Sequence, residues 1–190
     1  MKKLLMIAAV AAMTFSMNSC KKGPNDPAIS LKSRDGRIVG IWKLASSEST
    51  ETYKGEEYDW FNDEWVDVTR TETSSYNGTI LTTTETVNDN DPETDSYSYS
   101  YTVDIRKDGT YEATSIIDGS TSVTTGYWFW VDSKKNKVRI AFDDDANSMY
   151  IDMLKNKEMV MMMDYSSTYT DEDGRVTTST ESGTSTFQKQ

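Results

Sequence analysis

Beyond residue 37 the chain is patterned with a period of two. Tyr97, Tyr99, Tyr101, Val103 and Ile105 fall on one side of an extended segment, and Ser98, Ser100, Thr102, Asp104 and Arg106 on the other. Val138, Ile140 and Phe142 alternate with Lys137, Arg139 and Ala141. Met149, Ile151 and Met153 alternate with Tyr150, Asp152 and Leu154, and Met159, Met161, Met163 and Tyr165 with Val160, Met162 and Asp164. No stretch repeats its apolar residues at helical spacing, so the pattern predicts strands throughout. Turn chemistry separates the runs: Lys107-Asp108-Gly109, Asp118-Gly119, 133–136, 143–147, Lys155-Asn156-Lys157 and Asp171-Glu172-Asp173-Gly174. The expected strands lie near 38–49, 51–61, 64–76, 79–88, 96–106, 110–118, 121–132, 136–143, 147–155, 158–170 and 174–188.

The connections are too short for the crossovers that parallel strands need, so an antiparallel meander is expected. A long meander must manage its two edges, and closure into a barrel removes them. About eight strands enclose room for one small ligand. An open β-sandwich is the alternative. The Ser/Thr-rich stretches 66–102 and 165–186 read as long hairpins extending beyond the closed part, and 88–95 as an acidic loop.

The first 20 residues, MKKLLMIAAVAAMTFSMNSC, break this pattern. Lys2 and Lys3 precede an apolar run over 4–15, shorter than the roughly 20 residues a membrane-spanning helix needs. This is the layout of a secretory signal peptide. Ser16-Met17-Asn18-Ser19 then leads into the single cysteine, Cys20. The segment resembles a bacterial lipobox, with Met17 where leucine is usual. That resemblance implies cleavage before Cys20, acylation of its sulfur and a lipoprotein held in the cell envelope by a lipid anchor. Segment 20–36, with two of the three prolines, reads as that anchor followed by a flexible tether. The domain follows over 37–190. An acidic run just after the cysteine would resemble a surface-export signal; Lys21 and Lys22 follow Cys20 instead, with Asp26 the first acid, so the resemblance implies the periplasmic face of the outer membrane over the cell surface.

Charge and composition narrow the chemistry. The chain has 20 Lys+Arg, 31 Asp+Glu, no histidine and one cysteine, for a net charge of −11. Loss of residues 1–19 takes Lys2 and Lys3 with it, leaving 18 basic side chains against the 31 acidic. A basic patch therefore adds nothing to anchoring, and nucleic acid is not an expected partner. No histidine-based triad or intrachain disulfide is possible. No Gly-x-Ser-x-Gly elbow or phosphate loop occurs. The expectation is a protein that is not an enzyme and carries no cofactor.

Gly40-Ile41-Trp42 opens the first expected strand. It resembles the Gly-x-Trp signature of lipocalins and related calycin barrels, in which the glycine permits close backbone approach and the indole closes one barrel end. Arg106-Lys107-Asp108-Gly109-Thr110-Tyr111 and Gly126-Tyr127-Trp128-Phe129-Trp130 resemble a strand-turn-strand element and the strand after it in bacterial lipocalin-like lipoproteins. The resemblance implies a lipocalin-like β-barrel that binds a small hydrophobic molecule. It also implies a basic residue near the last strand stacked on Trp42, with Lys189 and Arg175 both in reach.

Met149, Met153, Met159, Met161 and Met163 are expected to line the interior. Thioethers suit Cu(I), but no histidine or second cysteine supports a metal site, so packing or ligand lining is the preferred reading. Tyr127, Phe129 and Val131 share one face of a strand, expected to be core, with Tyr127 and Phe129 as candidate ligand contacts. Trp128 and Trp130 on the other face are expected to be covered. Tyr58, Trp60, Phe61 and Trp65 surround an Asn62-Asp63 turn, where they could gate a ligand or touch a membrane or a sugar. The acids at 89–95, 143–145 and 171–173 match no calcium-loop motif and read as solvated turns. The expected function is binding of a small apolar or amphipathic ligand inside the barrel. The alternative is an envelope interaction protein, an inhibitor or accessory subunit, with a filled barrel.

Overall fold

The computed structural model describes residues 25–27, 32–88, 90–132 and 137–190, with the side chains of 144–147 outside the description. The expected signal segment 1–19, Cys20, Asp89 and the turn over 133–136 lie outside the described residues.

The period-two pattern becomes ten strands: β1 (Gly40–Asp59), β2 (Glu64–Tyr76), β3 (Ile80–Val87), β4 (Glu93–Ile105), β5 (Thr110–Ile117), β6 (Ser120–Trp130), β7 (Arg139–Phe142), β8 (Asp144–Leu154), β9 (Glu158–Thr170) and β10 (Val176–Lys189). Each pairs antiparallel with the next, and β10 returns to β1, so the hydrogen bonds of this meander form a ring. The sheet closes on itself instead of splitting into two stacked sheets. The two strands expected over 38–49 and 51–61 are one, 20 residues long. Nothing near Thr50 can turn the chain, and both neighbours hold it, with Ser182 and Thr73 opposite. A bulge between Leu44 and Ser46 bends the strand without ending it.

The ring has two circumferences. Low on the molecule, Gly40–Lys43 of β1 pairs with Thr102–Ile105 of β4, so β1 and β4 to β10 make an eight-stranded ring. Above the bulge β1 parts from β4 and pairs with β2, and the β2–β3 hairpin fills the fork to make ten. The turn of that hairpin, Asn77-Gly78-Thr79, sits in the fork. Gly78 has a φ of +97°, and a Cβ there would lie 3.1 Å from the Ala45 carbonyl oxygen. Only glycine suits both demands. On the far side, β8 pairs with β9 only from Met162 downward, and β6 with β7 only from Trp128 onward. Among the described residues, the upper reaches of β6 and β9 each keep one unpaired edge.

The apolar core fills the lower ring. Trp42, Ile105, Ile140, Ile151, Leu154 and Met159 are each 1% exposed or less. Above it, β1, β2, β9 and β10 continue as a sheet with polar residues on both faces, so the Ser/Thr-rich stretches do extend past the core.

A helix, α1 (Arg34–Ile38), closes the base. One turn is too short to leave a periodic signal. Its N-terminus is capped by Ser33, whose hydroxyl accepts from the Gly36 N–H at 3.2 Å. Asp26, Arg34 and Arg37 are buried beneath it. The Asp26 carboxylate accepts from Arg34 Nε and Nη2, both at 2.9 Å, from Arg37 Nη2 at 3.0 Å and from the Leu154 N–H at 2.8 Å. One carboxylate faces two guanidiniums; the carbonyls of Lys137 and Ile151 accept from Arg34 and that of Leu154 from Arg37, whose buried Nε has no partner among the described residues. Burial pushes the Asp26 pKa up. The hydrogen bonds from Arg34 and Leu154 and the charges of both arginines outweigh it and hold the carboxyl below its usual value. The described part of the expected tether is thus docked on the barrel base. Its polar groups leave water by bonding one another and three backbone carbonyls, Arg37 Nε excepted.

Candidate functional site

The closed end is built around Gly40 and Trp42. Trp42 is fully buried and its indole N–H donates to the Ile38 carbonyl at 2.6 Å. Lys189, from the last strand, sets its ammonium 4.8 Å from the centre of the Trp42 ring and donates to the Arg37 carbonyl at 2.8 Å. Gly40 makes room for this. Its φ is +134°, and a Cβ would fall 2.4 Å from Lys189 Cε. Of the two basic residues the sequence left open, Lys189 stands over Trp42, whereas Arg175 lies 3.8 Å above the ring centre of Trp65 at the opposite end. Burial, and secondarily the charge of Lys32, lowers the Lys189 pKa.

Above Trp42 the ring encloses a cavity of about 660 Å³. Its lower wall is apolar: Leu44, Val103, Ala113, Met159, Met161 and Phe187. Tyr99, Tyr101, Tyr111 and Phe142 form an aromatic belt, with Tyr111 and Phe142 edge to face at 5.0 Å and Tyr101 and Phe187 at 6.3 Å. Ser47, Ser49, Ser74, Ser115, Thr124 and Ser185 supply hydroxyls higher up. The Tyr111 hydroxyl donates to Asp143 at 2.7 Å. Burial, that hydrogen bond and the Asp143 charge push its pKa up to about 12, so it stays a protonated donor at neutral pH.

Of the methionines expected to line the interior, Met149, Met159 and Met161 do. Met153 and Met163 are not among the lining residues. The bulge between Ile151 and Met153 breaks the alternation that would have brought Met153 in. Met163 sits higher on β9, opposite Gly183. Tyr127 and Phe129 are corrected outright: they are 69% and 39% exposed and point out of the ring. The cause lies in their neighbours. Trp128 pairs with Phe142 and Trp130 with Ile140. The Trp128 indole donates to the Arg106 carbonyl at 2.8 Å and the Trp130 indole to Asp35 at 2.7 Å. Both indoles pack on the core, and the period of two then sends Tyr127 and Phe129 outward.

The aromatic group at 58–65 caps the β1–β2 hairpin, far from the base. Tyr58 meets Trp60 and Trp65 edge to face at 4.8 and 5.3 Å, while Trp60 is 86% and Phe61 100% exposed. The acidic turns are structural where described. Asp171 accepts from the Arg175 backbone N–H at 2.9 Å and side chain at 2.8 Å, and Asp143 from Tyr111 and the Tyr127 N–H. Among the described residues no three Asp or Glu side chains converge to hold a metal ion, and no helix is long and apolar enough to cross a membrane.

The chain matches no family model, no curated protein and no solved structure.

Proposed function

We propose that this is a lipid-anchored, lipocalin-like protein of the cell envelope that binds one small apolar or amphipathic molecule inside its barrel. The observation that carries this reading is the cavity of about 660 Å³, walled by methionine, leucine and aromatic side chains and left open by them. That volume lies within the range of small-molecule sites, and methionine suits a pocket that adapts to its guest. Gly40, Trp42 and Lys189 at the closed end add support for the lipocalin resemblance. The anchor rests on the sequence at 16–20.

Native mass spectrometry of the chain from residue 21 onward, which retains every described residue, tests the binding. A co-purifying molecule that Ala113→Phe displaces is the expected result. Equal spectra, with a neutral fluorophore such as N-phenyl-1-naphthylamine bound by neither protein, would sink the reading. Metabolic palmitate labelling of wild type and Cys20→Ala tests the anchor, with label on the wild type alone expected.

A second reading, an envelope interaction protein, is favoured by one observation: the exposed Trp60 and Phe61 at the hairpin tip. Loss of a partner on Trp60→Ala/Phe61→Ala, with ligand binding intact, would support it.

A further inference from the structure

Strand register assembles a feature that no local stretch of sequence shows. Glu181 lies opposite Glu51, Glu51 opposite Glu72, Glu72 opposite Glu85 and Glu85 opposite Glu93. Five glutamates therefore form one rung across β10, β1, β2, β3 and β4. Like charges directly opposite one another destabilise a sheet. The rung is only partly neutralised. Arg70, on the same face one step further from the base, reaches Glu85 at 2.6 Å and Glu57 at 3.5 Å. Among the described residues no lysine or arginine pairs with Glu51, Glu72 or Glu181. Glu51 and Glu72 have only the hydroxyls of Ser179 and Ser74, at 3.3 and 3.4 Å.

The cavity beneath gives the rung its meaning. Ser49 and Ser74 line the cavity wall, and they stand two residues from Glu51 and Glu72 on uninterrupted strands. Alternate residues share a face and lie about 7 Å apart. The same holds along β10, where Ser185 lines the cavity and Gly183 and Glu181 follow on its face. Going up from Trp42, one continuous surface passes from aliphatic and thioether groups, through aromatics, to hydroxyls, and then to three carboxylates. Partial burial, and secondarily the charges of Glu51 and Glu72, raise the Glu181 pKa. Directly opposed residues keep their Cβ atoms about 5 Å apart, and among the described residues no three acidic side chains converge to hold a metal ion; a row of spread carboxylates suits a diffuse organic cation.

We propose that the ligand is a cationic amphiphile, its apolar body in the cavity and its protonated amine at the rung formed by Glu51, Glu72 and Glu181. This rests on the cavity-binding reading above and goes further by naming the head group.

The test uses three probes of one chain length, decylamine, decanol and decanoate, each displacing N-phenyl-1-naphthylamine from the chain 21–190 at pH 7 and low salt. Decylamine is expected to displace the fluorophore at a concentration at least tenfold below decanol, with decanoate weakest. In Glu51→Gln/Glu72→Gln/Glu181→Gln the decylamine midpoint should rise to that of decanol while the decanol midpoint stays put. The triple variant relieves repulsion on an accessible rung, so its fold is retained. Equal midpoints for decylamine and decanol, or a preference that survives the triple variant, would overturn the cationic head and leave the cavity reading standing. No fluorophore binding by wild type would overturn both.

Discussion

The two ends of this molecule solve opposite problems with the same strands. At the base, eight strands close over an apolar core, and its buried charges, Asp26, Arg34 and Arg37, pair with one another and bond backbone carbonyls. In the upper sheet, β1, β2, β9 and β10 carry hydroxyls and carboxylates on both faces, and like charges stand in register. A two-sided polar sheet specifies its register weakly, because a slip by one residue exposes nothing new. The upper register is therefore inherited from below, carried up by strands whose lower halves are fixed in the core. A clasp at the tip helps: Tyr58 and Trp65 pair across the β1–β2 hairpin, and Arg175 from the β9–β10 turn lies on Trp65.

If that division is right, charge removal should have opposite signs at the two ends. Asp26→Asn leaves two guanidiniums buried without their carboxylate and should cost about 3–5 kcal/mol in urea or guanidinium unfolding. The effect depends on pH. The Asp26 pKa is lowered on folding, so its contribution is complete above the unfolded value of about 3.9 and is lost as pH falls through the folded value. The stability gap between wild type and Asp26→Asn should be constant near neutrality and shrink below about pH 4. Trp42→Ala, also at the base, should cost about 3–5 kcal/mol, whereas Thr52→Ala in the upper sheet should stay within about 0.5 kcal/mol. Gly78→Ala, at the fork where the ring widens, should cost about 1–3 kcal/mol through its positive φ and the Ala45 carbonyl.

The smallest effects fall at the top. Arg175→Ala should lower stability slightly and speed hydrogen exchange in the upper halves of β1, β2, β9 and β10, with core amides unchanged. Glu51→Gln should stabilise by a few tenths of a kcal/mol by relieving the rung. An unfolding curve in which Glu51→Gln and Asp26→Asn shift the same way would undo the contrast between the two ends.

The base was largely legible in the sequence because burial writes itself as alternation. The Tyr97–Ile105 pattern, the turn glycines and Gly40-Ile41-Trp42 all mark it. Three things were not legible. Large side chains on both faces of β6 left its orientation open, and the indole hydrogen bonds to Arg106 and Asp35, distant in sequence, decide it. The docked N-terminal segment looks like a tether because its buried bonds reach Ile151 and Leu154, more than 100 residues away. The glutamate rung draws one residue from each of five strands, so only the register, and no local pattern, brings it together.

Asp26 also fixes a length and a direction. It lies six chain steps from Cys20, a reach of no more than about 22 Å at full extension. With the proposed anchor at Cys20, the membrane would hold the Trp42 end of the barrel close to it. The strands leave that end in one direction, and β1 alone runs 20 residues, about 65 Å if straight. The proposed anchor would make it a post on a short leash, footed at its closed end and carrying its open mouth, its carboxylates and its bare aromatic tip away from the attachment. Break the contacts of Asn25 and Asp26 and the hold passes to α1, where Arg34 donates to the Lys137 and Ile151 carbonyls, so the leash would lengthen about twofold and the post would be freer to lean.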